Sequence, residues 1–146
     1  LCGSISHTGG LTAAVVWQPP GPAASAIGID VERIGRLTPE TYETVFTPGE
    51  RDALRALSEP EREIYSTAMF SIKEAVYKAQ YPLTGRYVDY DEIEIALKSA
   101  REHATGEIMP SVRHQVDAFK PFGIAAFWHR TGGHVVAGAV MRALRP

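Results

Sequence analysis

Apolar positions run through this chain with two different periods. Leu11 to Trp17 and Val135 to Met141 are short apolar runs, each entered through a Gly-Gly pair, Thr8-Gly9-Gly10 and Thr131-Gly132-Gly133. Each reads as a tight turn feeding a strand. A third run, Ala26-Ile27-Gly28-Ile29, closes on Asp30 and Glu32 and predicts a buried strand with two acids at its mouth. Between the first and third runs, Gln18 to Ser25 holds three prolines and a glycine, which no central strand accommodates, so it reads as a loop or linker.

The period then becomes helical. Thr38-Pro39 and Thr47-Pro48 each place an N-cap threonine before a proline at the first helical position, and Glu50 completes a capping box with Thr47. Ser58-Glu59-Pro60-Glu61 opens the longest helix, on which Ile64, Ala68, Ile72, Ala75, Val76 and Ala79 form an apolar stripe and which Pro82 is expected to end. Beyond it, Tyr87 to Leu97 alternates over its second half like a strand with one wet face, with Asp89, Asp91, Glu92 and Glu94 as its solvated acids. Ser99 to Pro121 carries no clear pattern. Phe122 to His129 and His134 to Leu144 form a hairpin around the second Gly-Gly turn. The expected fold class is α+β, a small antiparallel sheet packed on the long helix.

Composition narrows the class. At 146 residues, 45% hydrophobic and 22% charged, the chain can build one ordinary core and is not a disordered tail. A net charge of -2 supplies no general attraction for nucleic acid or an anionic membrane, so neither is expected as a partner. No apolar run approaches the roughly 18 residues of a membrane span, and Cys2 stands alone, so a reduced, cytoplasmic setting is expected.

The candidate chemistry lies on the third apolar run and on the long helix. Residues two apart on a strand share a side, so Asp30 and Glu32 can face one ion, and Glu74 and Lys78 lie one helical turn apart on one face. Three carboxylates with no sulfur donor favour magnesium, which keeps waters and is completed by substrate phosphates; Lys73 and Lys78 supply positive charge for such phosphates. Taken singly, each element is more often a solvated strand end or a surface ion pair than a site, and it is their pairing that raises them. His103, His114, His129 and His134 show no ligand-like spacing and are left as surface or structural residues.

Gly28-Ile29-Asp30-Val31-Glu32, followed downstream by Phe70-Ser71-Ile72-Lys73-Glu74-Ala75-Val76-Tyr77-Lys78, is similar to the paired signature of the 4′-phosphopantetheinyl transferases, especially the enterobactin-type and surfactin-type enzymes. Ser4-Ile5-Ser6-His7 resembles that family's Ser-x-Ser-His element, which stands just before the metal strand. The resemblance runs from Gly3 to Lys78. It implies transfer of 4′-phosphopantetheine from coenzyme A to a serine of an acyl or peptidyl carrier protein, releasing adenosine 3′,5′-bisphosphate. It implies Mg2+ held by Asp30, Glu32 and Glu74, and Lys78 neutralising the phosphate under attack. Lys73 would add a further phosphate contact, and His7 and Ser6 would meet the 3′-phosphate of coenzyme A. Glu74 and Lys78 are then the catalytic candidates, with Glu74 accepting the serine proton directly or through a metal-bound water. Relatives of this type have two similar halves, which implies that residues 1–17 close a first half, 18–25 form a linker and 26–146 make a second half with the site. Between the motifs, Arg51, Arg55 and Arg62 are candidate contacts for an acidic carrier protein, or else pair with nearby Glu50, Glu59 and Glu61 on a wet helix. Two rivals stay open: a magnesium-dependent phosphohydrolase acting on a nucleotide or coenzyme A, and a non-catalytic coenzyme A-binding module.

Overall fold

The computed structural model describes residues 1–21, 23–96 and 111–144. Two hairpins frame the chain. Strands β1 (Cys2–Thr8) and β2 (Leu11–Trp17) pair antiparallel through the first Gly-Gly turn, where Gly9 and Gly10 both take positive φ, 45° and 91°. β3 (Ser25–Arg33) follows the proline-rich segment, then helices α1 (Pro39–Val45), α2 (Pro48–Arg55) and α3 (Glu59–Thr84), a short pair β4 (Ile93–Ala96) and β5 (Ser111–His114), and the closing hairpin β6 (Phe122–Thr131) and β7 (His134–Ala143). β3, β7 and β6 form an antiparallel sheet in that order, and α3 lies across it. The α+β expectation is met.

The register explains how α3 fits. Ala26, Gly28, Asp30 and Glu32 stand opposite Met141, Ala139, Ala137 and Val135, so one side of the sheet is lined by small or apolar groups until the acids begin. The stripe of α3 closes on it: Ala68, Ile72, Ala75 and Val76 are fully buried, as are Val135, Ala137, Ala139 and Met141. At Gly28 the strand backbone approaches the helix so closely that a Cβ there would stand 2.0 Å from the Ala75 carbonyl oxygen and 2.8 Å from the Ala79 nitrogen. Both are helix backbone and cannot swing aside. Gly28→Ala is therefore expected to destabilise the fold by about 3 kcal/mol or more, the upper end of overpacking, read as a fall in the urea midpoint.

β1 meets β3 through side chains rather than a backbone ladder. The Ile29 N–H donates to Ser4 Oγ at 3.0 Å and the Val31 N–H to Ser6 Oγ at 3.4 Å, so serine hydroxyls answer the backbone donors on the edge of β3 that faces away from β7.

Two sequence expectations change. Pro82 does not end α3, which continues to Thr84 and stops at Gly85 with φ 64°. The proline sits in the last turn, where its missing N–H forfeits a single helical bond, and the left-handed glycine whose N–H returns to Tyr81 O at 2.8 Å makes the true stop. Within Tyr87 to Leu97 only Ile93–Ala96 is strand; Tyr90–Glu92 is a 3-10 turn closed by Asp89 N–H on Glu92 Oε2 at 3.0 Å. Asp89 and Glu92 thus cap a turn instead of lining a wet strand face, and Leu97 lies outside the described residues. In the unassigned Ser99 to Pro121 stretch, β5 and a turn at Asp117–Phe119 lie among the described residues, and Val116 and Phe119 are buried.

Candidate active site

Asp30 is the centre of the candidate site. It is 3% exposed, yet each carboxylate oxygen is answered: Oδ1 accepts from Ser6 Oγ at 2.9 Å and Lys78 Nζ at 2.8 Å, and Oδ2 from Ser71 Oγ at 2.8 Å. A buried charge persists only when paired and hydrogen-bonded in this way. Three elements contribute, β1, β3 and α3. On α3, Ser71, Glu74 and Lys78 follow the i, i+3, i+7 spacing that puts them on one face. That spacing would have revealed Ser71, which the sequence reading passed over. Lys78 also donates to Ile29 O at 3.2 Å, and more than a quarter of its side chain stays open to solvent.

Glu32 and Glu74 stand around this centre. Burial chiefly, and then the charge of Asp30 with a smaller push from Glu74, hold the Glu32 carboxyl above the usual carboxylate range, against the pull of Arg36 and Lys78. Three carboxylates, of which Asp30 and Glu74 both act on Glu32, are by their chemistry a hard-oxygen donor set of the kind that suits magnesium. As arranged, the counter-charge of Asp30 is Lys78, and among the described residues no three carboxylate, imidazole or thiol groups stand close enough together to hold an ion. Glu74 Oε1 instead accepts from the Tyr90 hydroxyl.

Lys73 is elsewhere. It is 1% exposed, and its ammonium donates to Val45 O at 2.8 Å, Glu50 Oε2 at 2.7 Å and Tyr90 O at 2.8 Å. Burial pushes the ammonium down from its ordinary range, while Glu50 holds it up. An ammonium has three donors and all three are in use, which corrects the expectation that Lys73 contacts a substrate phosphate. Lys73 and its neighbour Glu74 point about a hundred degrees apart on the helix; only Glu74 shares the face of Lys78. Glu50 was legible merely as the capping-box acid of α2. It fills that role, taking Thr47 N–H at 2.7 Å, but is itself buried and also accepts Ile95 N–H at 2.6 Å.

The period of two separates the remaining pair. Ser6 is on the inner side of β1 and buried; His7 is on the outer side, opposite Thr12, and exposed. The single hydroxyl proton of Ser6 is given to Asp30, so Ser6 holds an acid rather than donating to a phosphate, a second correction. Of the three arginines, Arg51 bonds Phe46 O at 2.6 Å, and Arg62 bonds Leu54 O at 3.1 Å and Leu57 O at 3.0 Å. They tie down helix ends, whereas Arg55 is exposed and pairs with Asp52 on its own helix. Two cavities flank the acids. One, of about 160 Å³, is lined by Glu74, Tyr77, Tyr87, Val88, Tyr90 and Ile93 among others. The other, more open, lies between the first Gly-Gly turn and Arg33, Gly35 and Arg36, with Arg36 donating to Thr8 Oγ1 at 3.3 Å.

Residues 26–134 match the family model described as the 4′-phosphopantetheinyl transferase superfamily. The 4′-phosphopantetheinyl transferase Svp of Streptomyces mobaraensis is 38% identical over 98 residues, which cover 66% of this chain and 39% of that protein. PptT of Mycobacterium tuberculosis is 29% identical over 113 residues, 77% of this chain and 48% of that protein. The chain therefore spans less than half the length of these two curated relatives. Among solved structures, a holo-(acyl-carrier-protein) synthase from Bacillus anthracis, in complex with CoA (3′,5′-ADP), aligns over 81% of this chain and 96% of its own with a TM-score of 0.64 at 21% identity. A Chronobacterium ammoniagenes ACPS-CoA complex aligns over 84% and 99% with a TM-score of 0.61 at 20% identity. At such identities the likeness is one of fold.

Proposed function

Since the chain belongs to the 4′-phosphopantetheinyl transferase superfamily, we propose that it transfers 4′-phosphopantetheine from coenzyme A to a serine hydroxyl of an acyl or peptidyl carrier protein and releases adenosine 3′,5′-bisphosphate. The observation that carries this reading is the buried Asp30, clamped by Ser6, Ser71 and Lys78, with Glu32 beside it held above the usual carboxylate range by burial and then by the charges of Asp30 and Glu74.

Asp30, Glu32 and Glu74 would hold magnesium, which when bound supplies positive charge to the pyrophosphate oxygens. The reaction forms a bond from the serine oxygen to the phosphorus bearing pantetheine and breaks that phosphorus's bond to the bridging oxygen, which leaves with adenosine 3′,5′-bisphosphate. Phosphoryl transfer of this kind asks a protein for position and charge above all. Lys78 supplies the mobile part: half-held by Asp30 and open to solvent on one side, it can turn its ammonium to a phosphate oxygen. Glu74 takes the proton leaving the serine hydroxyl, directly or through one water. The tyrosine-lined cavity beside Glu74 suits the uncharged, amide-bearing pantetheine arm, and Arg33 and Arg36, beside the open cavity under the β1–β2 turn, suit an anionic part of the substrate. His7 is reserved for the 3′-phosphate in a fuller site. Within the family we place the chain in the two-half group, with residues 1–17 ending a first half, 18–25 as linker and 26–146 as the second; the separate β1–β2 sheet, joined to β3 through side chains, supports the division.

Intact-mass analysis of an apo carrier protein incubated with the chain, coenzyme A and Mg2+ tests the proposal. One added phosphopantetheine, lost on chelation, is the expected result. No addition to an acyl, a polyketide or a peptidyl carrier protein, whether or not the first half of a two-half relative is supplied in trans, overturns it.

A further inference from the structure

Two consecutive residues of α3 clasp the same tyrosine from different sides. Lys73 donates to the Tyr90 backbone oxygen at 2.8 Å, while Glu74 receives the Tyr90 hydroxyl. The ring between them rests on Phe70, one turn earlier on α3, with centroids 5.9 Å apart. Lys73 is in turn fixed to Glu50 at 2.7 Å and to Val45 O, and Glu50 grips the Ile95 N–H just beyond Tyr90. The segment carrying Tyr90 is therefore moored to α2 and α3 by a buried ion pair, and its side chain ends on one oxygen of the acid assigned to both metal and proton.

We propose that Tyr90 is a positioning residue for Glu74: its hydroxyl occupies Oε1, leaving Oε2 for the cation, and the Lys73–Glu50 pair acts on the site through it. The inference rests on the reading of Glu74 as a metal ligand. A carboxylate has about four lone-pair sites, so one donor fixes its plane without blocking coordination. Partners of this kind orient the ligands they touch, and their loss typically weakens metal affinity or activity about 10- to 100-fold.

The test is direct Mn2+ binding, measured by the electron paramagnetic resonance signal of the free ion, on the chain without coenzyme A or carrier protein. Tyr90→Phe keeps the ring and its contact with Phe70 and removes only the hydroxyl. It is expected to weaken Mn2+ binding about tenfold with little change in melting temperature. Glu74→Gln serves as the reference and is expected to weaken binding at least as much. If Glu74→Gln weakens binding and Tyr90→Phe does not, the positioning role is overturned and the metal reading stands. If neither variant differs from the wild type, or the wild type does not bind Mn2+, the assignment of Glu74 as a ligand falls and the positioning role falls with it. A lower melting temperature with unchanged affinity assigns Tyr90 to stability alone and also overturns the proposal.

Discussion

Replacing Glu74 with Gln is expected to lower phosphopantetheine transfer by at least about 10²-fold, the scale of losing a positioned acid or base, while the chain melts close to the wild-type temperature. The variant is mild structurally: the amide oxygen of Gln still accepts from the Tyr90 hydroxyl that Glu74 Oε1 now takes, and position 74 lies beside the buried stripe rather than in it. The loss must then come from the missing charge. Initial rates over a range of Mg2+ concentrations separate the two duties given to Glu74. Recovery at high Mg2+ identifies a ligand; a deficit that excess Mg2+ leaves in place identifies a proton acceptor. Transfer at more than a tenth of the wild-type rate at moderate Mg2+ would remove Glu74 from both duties.

Lys73→Met is expected to act on a different quantity. The Lys73–Glu50 pair is about 1% exposed at both ends, and truncating one partner leaves Glu50 as an uncompensated buried carboxylate, at about 3 to 5 kcal/mol. A domain has in total about 5 to 15 kcal/mol of stability, so the urea midpoint should fall by a large fraction of its wild-type value. The double variant Lys73→Met/Glu50→Gln should recover much of this, because the amide is neutral and still offers one oxygen to the Ile95 N–H. A phosphate-binding Lys73 would show the opposite pattern, a higher coenzyme A requirement at unchanged stability. A loss below about 1 kcal/mol, the size of an exposed pair, would refute the buried strut.

Much of the architecture was legible because its causes are local. The two Gly-Gly turns, the threonine and serine caps at 38, 47 and 58 and the apolar stripe of the long helix all act within a few residues, and each appears where its pattern put it. The stop of α3 was misplaced for a local reason as well, since a proline in a final turn forfeits little and Gly85 can adopt the left-handed backbone that ends a helix. β5 and the Asp117–Phe119 turn were missed because a four-residue strand carries too few positions to show a period.

The residue types at the site, three acids and two lysines at strand and helix spacing, belong to the sequence itself, as does the motif order that marks the family. Which lysine faces the acids does not. Lys73 and Lys78 are alike in composition and both lie in the signature, but the helix turns one toward Glu50 and the other toward Asp30. Ser6 and His7 are neighbours in the same motif, yet the pleat of β1 sends one to Asp30 and the other to the surface. Glu50 and Tyr90 enter only because α2 and the turn before β4 fold back onto α3. Periodicity states which residues share a face of one element; what that face meets is set by packing between elements distant in sequence, and there the long-range partners of each charge were decided.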